Sequence, residues 1–121
     1  MRPQSAKAKG RRAQQEVRDA ILAAFPHLEP DDVRNTPMGT QGEDLLLSPQ
    51  ARRVWPWYTE IKNVEALNIY KAIDQASGKG REPIVVHRRN KTRLYATLPL
   101  SELLELAQHR MELMGPYAFK T

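Results

Sequence analysis

The sequence predicts an α/β domain, a central mixed sheet flanked by helices in the order αββαββα. Three observations predict it. Ala13, Val17, Ala20/Ile21 and Ala24 recur at helical spacing. Four short apolar runs, at 44–48, 54–62, 83–87 and 93–98, are bounded by Gly, Pro or polar residues, as strands are. Helical spacing returns at 64–77 and after Ser101, so helices separate and close the strand pairs. One extra short strand fits the same order.

Residues 1–10 (MRPQSAKAKG) have low complexity and no apolar period, and read as a flexible basic arm. The single domain then spans 11–121. Its first helix stops at Pro26. Residues 26–42, rich in Pro, Asp, Asn, Thr and Gly, read as a loop. DLLLS (44–48) is a short central strand, 49–53 a polar turn, and VWPWYTEIK (54–62) its hairpin partner. Asn63 is placed to cap the second helix, with Leu67, Tyr70, Ile73 and Ala76/Ser77 at helical spacing and Gly78 and Gly80 ending it. PIVVH (83–87) and RLYATL (93–98) form a second hairpin through the polar residues 88–92. Ser101 caps a last helix, with Leu103, Leu106/Ala107, Arg110/Met111 and Met114 on one side, stopped at Gly115-Pro116. Trp55, Trp57 and Tyr58 lie close together, and at least one Trp is expected in the core.

The 121 residues include 19 Lys+Arg, 14 Asp+Glu and no Cys. Without Cys there is no disulfide framework, Cys-ligated zinc, iron–sulfur site or thiol nucleophile. No secretory signal or membrane span is visible, so a cytoplasmic location is expected, with no membrane partner. The net charge of +5 is concentrated: Arg2, Lys7, Lys9, Arg11 and Arg12 precede the first acid, leaving 14 basic against 14 acidic residues over 13–121. Such an arm either tracks a polyanion or merely solubilises the chain. A second basic stretch, Lys79 to Arg93, includes Arg88, Arg89 and Lys91 against one acid, Glu82.

The chemistry centres on Glu60-Ile61-Lys62. Residues two apart in a strand share a face, so Glu60 and Lys62 project together while Thr59 and Ile61 face the other way. Asp44, at the edge of the preceding strand, can converge with Glu60. Two adjacent carboxylates repel each other and invite a divalent cation. Mg²⁺ suits oxygen ligands, retained waters and a substrate phosphate, and Mn²⁺ is expected to substitute. Lys62 is placed to hold a water or to stabilise charge on phosphate. Glu16 borders the buried stripe of the first helix. Asn68, Lys71 and Gln75 share a face of the second. The dispersed histidines carry no catalytic spacing, and Glu29, Asp31 and Asp32 read as a loop turn around Pro30.

With Glu16 on a helix, Asp44 on a strand, Glu60-x-Lys62 on the next and a helix bearing Gln75, the chain resembles the PD-(D/E)XK nuclease superfamily over about residues 11–108. QGEDLLLSP and WYTEIKNVEALNIYKAIDQA are similar to the small Holliday-junction-resolvase-like nucleases of archaea and phages. The resemblance implies a restriction-endonuclease-like core. It implies Asp44, Glu60 and the Ile61 carbonyl as metal ligands, Lys62 as the catalytic lysine, Glu16 as an aid to metal or water binding, and Gln75 as a helix polar residue of the site. Glu43 stands where the motif's name has Pro, and could compete with Asp44 as ligand; Asp44 is favoured because it opens the apolar run.

The expected activity is Mg²⁺-dependent cleavage of DNA by metal-activated water, with no organic cofactor. No separate base-reading module is present, so shape should set specificity, favouring a four-way junction. Symmetric cutting needs two sites, hence a homodimer, with the last helix and the Tyr117–Phe119 tail as interface candidates. In the host, a phage-encoded form would act in the cytoplasm. Expected DNA contacts are Lys7, Lys9, Arg11, Arg12, Lys71, Arg88, Arg89 and Lys91. Two alternatives stay open: a repair or restriction-like nickase on the same fold, and an inactive DNA-binding accessory protein.

Overall fold

The first helix, α1 (Pro3–Ala24), begins earlier than the apolar period does. Residues 3–12 are mostly Ala, Gln, Lys and Arg, which are strong helix formers. The segment expected as a flexible arm, 1–10, is helical from Pro3 onward: lack of an apolar stripe did not mean the lack of a helix. The computed structural model describes residues 3–37 and 39–115; Arg2 and the Tyr117–Phe119 tail lie outside the described residues. Ala13, Val17 and Ile21 form the buried stripe of α1. Arg18 fastens the helix to the following loop, its Nε donating to the Val33 carbonyl at 2.7 Å.

The structure is α/β, with a two-stranded and a three-stranded sheet. Within the expected loop lies β1 (Val33–Asn35), paired antiparallel with β2 (Leu45–Leu47). The expected hairpin of 44–48 with 54–62 does not form. Instead α2 (Pro49–Arg52) turns the chain away, capped by Ser48, whose hydroxyl accepts from the Ala51 N–H. The Ser48 hydroxyl also donates to Asp32, and the Asp32 carboxylate accepts from the Glu29 N–H at 2.7 Å. That acidic cluster is thus a loop turn, as expected.

The second sheet contains β3 (Tyr58–Asn63), β4 (Pro83–Arg88) and β5 (Tyr95–Thr97), in that spatial order. β3 and β4 are parallel, which requires a crossover, supplied by α3 (Ile69–Ala76). Ile84, Val85 and Val86 are all buried, as befits a central strand covered on both faces. Ile61, Ile84 and Val86 join the α1 stripe, Leu28, Val33, Leu45, Leu47, Ala51 and Trp57 in one core. Val85 is buried on the opposite face, where Ala72 and Ala76 of α3 are also buried. The cap of α3 is Asn68, not Asn63, which ends β3. Tyr70 is exposed rather than packed.

Trp57 is in the core, edge-on to Trp55 with ring centroids 5.1 Å apart. Its indole N–H donates to Glu102 of α4 (Leu100–Met114) at 2.8 Å. α4 starts after Pro99 rather than at Ser101. It has no buried residue, so Met111 and Met114, although at core spacing, stay outside the core. Glu102, Glu105, Leu106 and His109 line a cleft with Trp57, and Leu100, Leu103, Leu104, Leu106, Met111, Leu113 and Met114 are all exposed. Among the described residues, no helix is long and apolar enough to cross a membrane.

Candidate functional site

β3 alternates as a half-covered strand does. Thr59 and Ile61 are buried, and Glu60 and Lys62 emerge together on the α3 side. Lys62 Nζ lies 3.3 Å from Glu60 Oε1. Asp44 joins them by two bonds to the same strand. Its N–H donates to the Thr59 carbonyl at 3.1 Å, and its Oδ2 accepts from the Ile61 N–H at 2.7 Å. Its own carbonyl accepts from the Thr36 N–H at 3.1 Å, so residue 44 bridges the two sheets. Asp44 is thus tied to the strand that carries Glu60 without the expected hairpin.

Burial pushes the Asp44 carboxyl up from its ordinary value to about 6, against the lowering effect of the Ile61 N–H; the Glu60 charge adds to the rise. Glu43 points elsewhere. Its carboxylate accepts from the Thr59 N–H at 2.9 Å and pairs with Arg81, whose guanidinium also donates to the Trp57 carbonyl. The geometry favours Asp44 over Glu43 as the carboxylate available to a ligand.

Among the described residues, no group of three or more His, Cys, Asp or Glu comes together as a metal cage. The carboxylates on hand are two, Asp44 and Glu60, the second next to Ile61 in β3. That set fits Mg²⁺, which keeps several waters and is held through one or two carboxylates.

Lys62, Asn68, Lys71 and Gln75 line one cleft of about 290 Å³, so the expected α3 residues do share a space with Lys62. Asn68 is spent on capping, its side chain accepting from the Lys71 N–H. Glu16 arises from α1, on the Ile61 side of the sheet, and pairs with Arg88. The structure brings it to the end of β4 and not beside Asp44 and Glu60, because the helix stripe that packs on the core fixes the direction of residue 16. Arg88 is correspondingly less free for phosphate.

The N-terminal and hairpin basic residues meet. Lys9, Arg12, Asn63, Arg88, Asn90 and Lys91 line a cleft of about 450 Å³, and the Asn63 amide donates to the Lys9 carbonyl at 3.3 Å. Arg89 is exposed at the hairpin connection. Lys7 and Arg11 lie on the same helix as Lys9 and Arg12. Sequence reasoning missed Asn63, which it placed as a helix cap and which lines this basic cleft. Lys91 holds φ at 60°, a left-handed conformation that costs a non-glycine residue about 1 kcal/mol. Compared with known family models, curated proteins and solved structures, the chain matches none.

Proposed function

We propose that this chain is a Mg²⁺-dependent, structure-specific DNA endonuclease with a restriction-endonuclease-like core of the PD-(D/E)XK type, acting on four-way junctions. The observation that carries the reading is that Asp44, held by the Ile61 N–H, is tied to β3, which carries the Glu60–Lys62 pair, of which Lys62 also lines the α3 cleft. Asp44, Glu60 and the Ile61 carbonyl would hold Mg²⁺ or Mn²⁺. Once bound, the cation would acidify water and offset charge on the scissile phosphate. Lys62 holds a point cation beside Glu60, within reach of water or a phosphate oxygen. Lys71 and Gln75 position the strand in the same cleft. Lys9, Arg12 and Lys91 track the backbone farther along, which gives affinity and orientation without base readout.

The exposed apolar stripe of α4 supports a homodimer, since two antiparallel strands of a junction require two sites and a second copy would cover that stripe. The test compares cutting of a synthetic four-way junction with matched linear duplex under Mg²⁺. Paired nicks in the junction and slow cutting of the duplex are expected. Equal rates on both substrates refute the junction assignment.

Lys91→Gly separates strain from charge. It should raise stability by about 0.5–1 kcal/mol, because glycine accepts the left-handed backbone freely. It should also weaken DNA binding and lower the slope of log affinity against log salt by about one. Urea melts and salt-dependent binding check the two effects, and an unchanged slope removes Lys91 from the interface.

A further inference from the structure

Tyr95 is more than half exposed, at 56%, on the edge strand β5. Its ring stacks on His87, with centroids 6.3 Å apart and planes 30° from parallel. The His87 Nε2 is hydrogen-bonded to the Thr97 hydroxyl at 2.9 Å, which fixes the ring beneath Tyr95. Burial holds the His87 pKa below its ordinary value, so a neutral imidazole supports the tyrosine at pH 7. These two rings open on a cleft of about 420 Å³ that Arg88, Arg89, Thr92 and Glu65 also line, the Glu65 carboxylate accepting from the Asn90 N–H.

The placement of this cleft matters. Ala66 and Leu67 wall both it and the Lys62 cleft. Arg88 walls both it and the Lys9, Arg12 and Lys91 cleft. It therefore adjoins both the Lys62 cleft and the cleft of the backbone-tracking cations. A flat aromatic face with cations on its rim is the chemistry that takes an unstacked base and its flanking phosphates. A paired base in duplex offers no such face.

Resting on the reading of the chain as a DNA-binding nuclease, we infer that the Tyr95 cleft receives an unpaired nucleotide of DNA. Its base stacks on the tyrosine ring and a flanking phosphate meets Arg89. This makes Tyr95 a specificity-determining residue for flaps, single strands and branch points that open to free a base, over intact duplex.

The test titrates the full-length protein into a single-stranded oligothymidine bearing one central 2-aminopurine, in EDTA, so that nothing depends on cutting. Wild type and Tyr95→Phe should quench the fluorophore and bind the single strand more tightly than a short duplex. Tyr95→Leu keeps apolar bulk but no aromatic face. It should bind the single strand about 10-fold more weakly and lose the preference. Arg89→Gln, at an exposed position, provides a second arm with weaker single-strand binding. Equal single-strand affinity in wild type, Tyr95→Leu and Arg89→Gln overturns the inference. If Tyr95→Leu does not fold, equal affinity of wild type and Arg89→Gln with no quenching by wild type does the same. Quenching and preference without Mg²⁺-dependent cutting uphold the cleft and overturn only the nuclease reading.

Discussion

Asp44→Asn is expected to reduce Mg²⁺-dependent cleavage by at least about 100-fold while leaving the folded protein more stable than wild type at neutral pH. The lost activity follows from removing one of two carboxylates in the proposed ligand set. The gained stability follows from the environment of that carboxylate. Burial raises the Asp44 pKa to about 6 in the folded chain. The folded state therefore holds its proton more tightly than the unfolded state. As pH rises from about 4 to about 6, the unfolded chain ionises first and stability falls; above that window the penalty is constant. Asn cannot ionise, and its amide oxygen still accepts from the Ile61 N–H. The expected gain near pH 7 is about 2 kcal/mol after allowing for partial exposure. Urea melts of both proteins in EDTA check it: the gap between them should open between pH 4 and pH 7. Mg²⁺ should then raise the melting temperature of wild type and not of the variant. A variant that cuts like wild type removes Asp44 from the chemistry.

Glu43→Ala is expected to do the reverse. The Glu43 side chain is only 9% exposed and pairs with Arg81, itself 20% exposed. Truncation strands that guanidinium in a largely covered position and removes the acceptor of the Thr59 N–H. Together these cost about 3 kcal/mol. Metal affinity, read by calorimetry below the melting range, should stay within a few-fold of wild type. The two neighbouring acids thus divide by function: one variant loses metal and keeps the fold, the other loses stability and keeps metal. If calorimetry finds metal binding lost in Glu43→Ala and kept in Asp44→Asn, the ligand is Glu43.

What was legible in the sequence obeyed local periods. Glu60 and Lys62 share a face because a strand alternates, and the α1 stripe at Ala13, Val17 and Ile21 follows from the helical repeat. Ile84 to Val86 read as a strand because three successive apolar residues need cover on both sides. What was not legible depended on distant partners. A three-residue strand at Val33–Asn35 has too little pattern to stand out from a polar loop, so the partner of β2 was misassigned. The Glu43–Arg81 and Glu16–Arg88 pairs join residues far apart in sequence, and no spacing announces them. The outward stripe of α4 misled for a different reason. An apolar helical period identifies a face that should be covered, but not whether this chain covers it.

Residue 44 receives one bond from the Thr36 amide and makes two to β3. Consider the small motions of the native state. If the β1–β2 ribbon parts from β3, Asp44 leaves the Ile61 amide in the same movement. The Ile61 and Asp44 amides should therefore exchange with solvent at one common rate, as members of one opening unit. Any ligand that fixes the Asp44 carboxylate against Glu60 must slow both. The sheet's seam would then report occupancy of the site, even in a protein whose catalysis has been disabled at Lys62.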